Sequence, residues 1–340
     1  MTIEEIKNVV EGKDYDFLRT NEHLKGKIMF LTLGGSYSYG TNIETSDVDV
    51  RGCALNSSSD LLGLSNFEQV VNNETDTTVY SFNKLVQLLL NCNPNTIEML
   101  GCKPEHYLYC TGVGLSMIAN RKMFLSRRAV NSFGGYATQQ LRRLENALAR
   151  DKMEQARKEE HILKSMQNAM KSFGERYTEF ENGSIQLFTD KSTREEFDTE
   201  VFANIHLDKY PIREFNGIVH DLTNIVSAYG KLNHRNQKKD DNHLNKHAMH
   251  LIRLYLMCID ILENEDIVTY REKDHDTLMG IRAGKYQRKD GTYREEFFEI
   301  VDQLEKRLAY AKENTSLPDH PDMKKVEEFV MAVNRRAIDV

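Results

Sequence analysis

The sequence predicts an α+β protein: a small mixed sheet with its helices over residues 1–112, then a mainly helical region over residues 113–340. Three observations predict it. Ile28-Met29-Phe30-Leu31-Thr32-Leu33 is a nearly continuous apolar run ending in Gly34-Gly35, which marks a buried strand entering a turn. Two further strand-like runs follow before residue 81. Beyond about residue 112 the apolar spacing becomes that of long helices with frequent charge on their outer faces.

The elements follow in order. Residues 2–11 read as a short amphipathic helix. Ile28–Leu33 is the first strand, Val48–Leu55 the second, and Thr75–Tyr80, rich in β-branched residues, the third. A helix follows with Phe82, Leu85, Val86, Leu89 and Leu90 on one face and stops near Asn93-Pro94. A second short helix carries Thr96-Ile97-Glu98-Met99-Leu100. In the second region, residues 130–173 place Leu141, Leu144 and Leu148 at apolar helical positions. The pattern returns over 211–231, 243–263, 293–313 and 322–337, and the polar stretch Asn233–Asn242 is a loop. Arg142, Arg143 and the lysines from Lys152 to Lys171 alternate with glutamates, as on a solvated face or one side of a nucleic-acid groove. With five prolines and no low-complexity tract, no disordered linker separates the two regions.

Composition bounds the function. At 40% hydrophobic and 29% charged residues the chain is ordinary globular protein. A net charge of −7 argues against coating nucleic acid by bulk electrostatics, while leaving a local basic groove open. Five scattered cysteines, odd in number and without a C-x-x-C pair, disfavour a disulfide framework and a cysteine zinc site. They suit a reducing compartment. The N-terminus is acidic with no apolar signal core, and no apolar run approaches the ~20 residues needed to cross a bilayer. The expectation is a soluble, cytoplasmic protein with no membrane partner and an oligomeric state the sequence leaves open.

Two neighbouring motifs carry chemistry. Gly34-Gly35-Ser36-Tyr37-Ser38-Tyr39-Gly40 follows the buried first strand and turns into a short helix. Glycine lets the backbone approach a phosphate without a Cβ in the way; the amides at the helix start then point at the anion, and the Ser36 hydroxyl adds a hydrogen bond. Ser46-Asp47-Val48-Asp49-Val50 next places two carboxylates two residues apart on a strand, hence on one face. Two hard anionic oxygens there suit Mg²⁺, which prefers carboxylates plus substrate phosphates to an all-protein cage. Alone, the Gly-Gly-Ser is a turn and the D-x-D a solvated edge; their order and spacing make the pair specific.

Farther on, Lys246, His250 and Arg253 fall at i, i+4 and i+7 on one helix face, while Leu251, Leu254, Tyr255 and Cys258 fall on others and read as core. The stripe reads as a grip on a nucleotide triphosphate or as a salt-bridged surface. His247 and His250, i and i+3 with no third ligand near, are poor evidence for zinc. Arg282-Ala283-Gly284-Lys285-Tyr286 ends another helix with Gly284 as its cap.

The combined G-S-x3-G-x5-S-D-x-D motif resembles the signature of the DNA polymerase β-type nucleotidyltransferase superfamily. More closely, four elements together resemble the predicted bacterial and phage nucleotidyltransferases grouped as the RNA-repair-pathway polymerase-β family. They are the Gly-Ser…Asp-Val-Asp loop, Lys84…Asn93-Pro94-Asn95…Glu98-Met99-Leu100, Lys246-His247-Ala248-Met249-His250-Leu251-Ile252-Arg253-Leu254, and Ile281–Lys285. The resemblance spans roughly residues 27–290. It implies a polymerase β palm-like domain and a third carboxylate on a later strand. Asp76 stands where that residue is expected, and Glu98 is its rival. Some relatives carry an aspartate where this chain has Ser81. With Asp76, the triad Asp47, Asp49 and Asp76 is expected to hold two Mg²⁺ ions, with Mn²⁺ as a substitute. Gly35, Ser36, Lys246, His250 and Arg253 are expected to bind the nucleotide.

The reaction implied is transfer of a nucleoside monophosphate from a nucleoside triphosphate, ATP or CTP being the expected donor, to a hydroxyl. The resemblance points to an RNA end, such as a damaged tRNA, as acceptor. The alternatives are a protein or small-molecule acceptor, and a non-catalytic nucleotide-binding protein. Two metal-gathering anions speak against the last.

Overall fold

The computed structural model describes residues 1–137, Leu141, Leu144, Met170, and residues 173–191, 199–234, 241–289 and 291–338. Most of the helix expected over 130–173 lies outside the described residues. So do Arg142, Arg143, the lysines from Lys152 to Lys171, and residues 235–240 of the expected loop.

Five strands form one mixed sheet: β1 (Ile28–Leu33), β2 (Val50–Ala54), β3 (Gln69–Asn72), β4 (Thr77–Ser81) and β5 (Tyr107–Cys110), in the order β3-β4-β2-β1-β5. β1 runs antiparallel to β2 and β5, and β3 antiparallel to β4. β2 and β4 are parallel, in register from Val50↔Thr77 to Ala54↔Ser81. This pairing positions the candidate site, because it brings the residues just before each strand, Asp49 and Asp76, side by side. The expected second and third strands are each shorter at their beginning. Asp76 has φ +42°, which breaks the extended chain before Thr77, and Asp47 and Asp49 approach β2 in unpaired backbone.

Seven helices accompany the sheet: α1 (Ile3–Val10), α2 (Phe17–Thr20), α3 (Gly35–Tyr39), α4 (Ser58–Leu62), α5 (Phe82–Leu90), α6 (Pro94–Ile97) and α7 (Gly112–Ala119). Thr2 starts α1 through a reciprocal capping box with Glu5. On one side of the sheet, Ile6, Val10 and Leu18 pack against Leu31, Leu33, Val50 and Val79. On the other, Phe82, Leu85, Val86 and Leu89 are buried along one face of α5, as their spacing predicts. The sheet is thus covered on both faces, which is why β1 reads as an unbroken apolar run.

The C-terminal helices are α8 (Ile212–His234), α9 (Asp241–Asn264), α10 (His275–Arg282), α11 (Glu295–Asn314) and α12 (Met323–Ile338), close to the spans expected from periodicity. Leu251, Leu254, Tyr255 and Cys258 of α9 are buried, but so are Ala248, Ile252 and Ile259. A helix apolar all round is a core helix, and α9 packs against α10, α11 and the turn Val130–Gly134. Among the described residues no helix is long and apolar enough to cross a membrane.

The chain forms two compact units, Met1–Glu145 with Asp241–Val340, and Asn146–Asp240. The change of texture at residue 112 is therefore not a border between compact bodies, because the late helices complete the core that the sheet begins. The second unit holds a hairpin absent from the sequence reading, β6 (Gly183–Lys191) paired with β7 (Thr199–Leu207). Its core is Phe173, Ile185 and Ile218, flanked by Tyr177, Phe180 and Tyr210.

Candidate active site

β1 ends at Leu33 and the chain turns through Gly34 into α3, which Gly40 closes in the left-handed conformation at φ +73°. Gly34 N–H donates to the Asp49 carbonyl at 2.8 Å, so the loop and the D-x-D segment are zipped together. Gly35 sits at φ +55°, and a Cβ there would lie 1.7 Å from Asp49 Oδ2. Only glycine admits both the conformation and the close approach of that carboxylate. Ser36 is the second residue of α3, and among the described residues no group hydrogen-bonds its hydroxyl.

Asp49 and Asp76 stand side by side where β2 and β4 begin, and Val50 N–H donates to the Asp76 carbonyl at 3.2 Å. Burial and the neighbouring Asp76 push Asp49 up to about 7, while Asp49 and the Arg51 guanidinium hold Asp76 below its ordinary value. Arg51 lies across both. Its Nη2 is 3.3 Å from Asp49 Oδ1 and 3.1 Å from Asp76 Oδ1, and its Nη1 donates to the Asp76 carbonyl. The positive charge of Lys246, exposed on α9, also reaches both carboxylates.

Asp47 is exposed and makes no bond to this pair. Among the described residues no three His, Cys, Asp or Glu side chains gather into a metal cage. The residues nonetheless fit a divalent cation that is completed by substrate phosphates. Asp49 and Asp76, each within 3.3 Å of Arg51 at the heads of adjacent strands, gather negative charge that a cation offsets.

The other expected nucleotide ligands are placed differently. Lys246, His250 and Arg253 do share one face of α9, but that face runs inward. Lys246 is exposed, His250 is half-buried and Arg253 is 1% exposed. Arg253 Nη1 donates to Glu98 Oε2 at 3.1 Å, Nη2 meets His250 Nδ1 at 3.0 Å, and the guanidinium stacks 3.6 Å over the Tyr39 ring. Tyr39 Oη donates to Glu98 Oε1 at 2.7 Å. Arg253 is thus committed to a buried network and does not face a triphosphate. Burial, then Arg253 beside it, drives His250 down to about 2, so this imidazole is neutral. Glu98, the rival third carboxylate, is the anion of this network and is 7% exposed. Ser81 lies at the opposite end of β4 from Asp76 and caps α5, accepting from Lys84 N–H. An aspartate there would be a helix cap and not a partner of Asp49.

The sequence reading missed Arg51 altogether and gave Arg282 only a place at a helix end. Arg51 follows Asp49 at the same two-residue spacing that links Asp47 to Asp49, so strand alternation alone would have put it on the carboxylates' side. Arg282, at the end of α10, donates to the Thr41 carbonyl at 2.6 Å and approaches Ser46 Oγ at 3.4 Å, bracing the segment that delivers Asp47. Tyr270 closes the loop from another side: a Cβ on Gly40 would lie 2.5 Å from its ring. The phosphate-loop candidate is therefore clasped by residues from more than two hundred positions later.

A family model described as the RNA repair pathway DNA polymerase beta family matches residues 6–202. No curated protein matches the chain. The family match takes in the Gly-Ser loop, the D-x-D segment, Asp76 and Glu98, and it ends before α9 and α10.

Proposed function

This chain belongs to the RNA repair pathway DNA polymerase beta family, and from that membership we propose that it is a nucleotidyltransferase acting on an RNA end. The observation that carries the reading is the pairing of Asp49 with Asp76 at the starts of two parallel strands, against Gly35. An acceptor hydroxyl oxygen bonds to the α-phosphorus of a nucleoside triphosphate, ATP or CTP. The bond from that phosphorus to the bridging oxygen breaks, and pyrophosphate leaves. The hydroxyl proton passes to Asp76, the more solvent-facing of the two carboxylates. Gly35 N–H and the Ser36 hydroxyl hold phosphate oxygens, and Lys246 offsets the charge of the departing pyrophosphate. Asp47, Asp49 and Asp76 would hold two Mg²⁺, or Mn²⁺, which supply charge neutralisation and acidify the acceptor hydroxyl. Arg253 and His250 act one layer below, keeping Tyr39 and hence α3 in place.

Labelled ATP, CTP, GTP and UTP incubated with Mg²⁺, the protein and RNA test the reading. Label is expected in RNA, lost in Asp47→Ala and Asp49→Ala with folding retained, and strongly reduced in Asp76→Asn. Transfer that survives both alanine variants overturns it. Label entering protein or a small product instead overturns the RNA acceptor.

A further inference from the structure

In a chain of net charge −7, one short stretch runs the other way. From Arg282 to Arg294 it carries Arg282, Lys285, Arg288, Lys289 and Arg294 against a single acid, Asp290. Elsewhere the described cations are commonly answered by carboxylates, as in Arg121–Asp266, Arg271–Asp260 and Arg307–Glu263. Here they are not. Lys246, Lys285, Arg288 and Lys289 are exposed, and among the described residues none of them has a carboxylate within salt-bridge reach. Arg294 is flanked by Glu295 and Glu296 and is left out of the count.

The stretch is a fixed hairpin. Gln287 bridges Tyr293, Arg288 N–H donates to the Thr292 carbonyl, and Gly291 turns the chain at φ +80°. Its base is bolted to the candidate site at two points. Tyr293 Oη donates to Asn245 Oδ1 at 2.5 Å and Asn245 Nδ2 donates to Gln287 Oε1 at 3.0 Å. Asn245 directly precedes Lys246, whose charge reaches Asp49 and Asp76. Arg282, where the stretch begins, braces Thr41 and Ser46 ahead of Asp47. The exposed cations therefore continue outward from the carboxylate pair.

We propose that the hairpin Lys285–Lys289 forms the track that carries the phosphate backbone of the nucleic-acid acceptor, leading its end past Lys246 to Asp49 and Asp76. Cations strung along an exposed hairpin suit an extended polyanion, whereas a triphosphate calls for donors converging on one point. Lysines dominate the track, and they act as point charges that position a backbone without reading bases. The inference rests on the transferase reading above for its direction, but its test is independent of transfer.

The experiment compares the full chain with Lys285→Ala/Lys289→Ala, using fluorescent single-stranded RNA in anisotropy titrations across salt concentrations, and ATP with Mg²⁺ in calorimetry. Each lost contact to a single strand lowers the slope of log affinity against log salt by about 0.7, so the double variant loses about 1.4. At 0.1 M salt that amounts to roughly 25-fold weaker RNA binding, with ATP affinity and thermal midpoint unchanged. Lys285→Arg/Lys289→Arg is expected to restore binding. Unchanged RNA affinity and slope in the alanine variant overturn the proposal. So does a parent protein that does not bind RNA, or a loss confined to ATP. RNA binding that depends on the hairpin in a protein that transfers no label leaves the track standing and removes the transferase reading.

Discussion

Glu98 and Arg253 are a buried ion pair whose side chains are 9% and 1% exposed, at 3.1 Å. Substituting Arg253→Met removes the cation while keeping bulk, and leaves the Glu98 carboxylate in the interior with Tyr39 as its one side-chain donor among the described residues. Breaking such a pair on one side costs about 3–5 kcal/mol, because an uncompensated charge stays buried. For a unit of this size each kcal/mol lowers the thermal midpoint by about 2–4 °C, so a fall of roughly 6–20 °C is expected. Glu98→Gln strands the Arg253 guanidinium in the same way, although glutamine keeps an acceptor for Tyr39. The double variant removes both charges and is expected to recover much of the loss, since a buried pair is often replaceable by neutral groups of like volume. Thermal unfolding of the parent, both single variants and the double variant near pH 7 measures the cycle. A single variant with the parent's midpoint, or a double variant showing the plain sum of the two losses, refutes the coupling.

Further outcomes follow from the carboxylate pair and its loop. Asp49, pushed up to about 7 from an ordinary 3.8, keeps a proton in the folded protein that the unfolded chain releases. Its contribution is present at acid pH and lost as pH rises through 7, so metal-free protein is expected to lose thermal stability between about pH 4 and 7. Asp76 shifts the other way and acts only below its ordinary 3.8, outside that window. Mg²⁺ must displace the same proton, so its apparent affinity in calorimetry is expected to rise about tenfold per pH unit and level off above 7; a pH-independent affinity refutes this. Gly35→Ala places a Cβ 1.7 Å from Asp49 Oδ2 and is expected to lower transfer by about 100-fold by moving that carboxylate, measured against an unchanged far-UV spectrum. Arg282→Met strips the buried Thr41 carbonyl of its charged donor, an expected loss of about 1–3 kcal/mol in denaturant unfolding. A loss below about 0.5 kcal/mol shows that the Thr41–Ser46 segment does not depend on α10.

The first motif was legible because order, spacing and local backbone agree there. A strand, two glycines and a short helix are all written in Leu33–Gly40, and the carboxylates follow within ten residues. Asp76 was legible only through a family likeness. The parallel register that sets it beside Asp49 is a pairing between strands, which no local pattern encodes. Arg253 shows the opposite failure. Helical spacing correctly put it in line with Lys246, but a helix face says nothing about how deep each turn lies, and about two turns of α9 carry the stripe from solvent into the core. Glu98, the rival third carboxylate, is instead the buried anion that meets Arg253 of α9. The hairpin Gly183–Leu207 lies between the expected helices over 130–173 and 211–231, in a stretch given no element, although Ile185, Leu187 and Phe202 sit in short alternating runs after Asn182-Gly183.

Because the unit that holds the candidate site is closed by residues 241–340, its assembly has an order in time. On the ribosome, Tyr39, Glu98 and both carboxylates emerge long before Arg253 and Arg282 exist to receive them. Pairings between positions 155 or more apart also slow folding, because long loops must close before any contact rewards them. The newly made first half therefore spends its early life with Tyr39 and Glu98 lacking the arginine that holds them, an incomplete state in which chains of this size aggregate or need chaperones. A truncation ending near residue 202, where the family match stops, freezes the protein at that stage. Such a fragment retains Asp47, Asp49, Asp76, Glu98 and Arg51, and lacks Arg253 and Arg282.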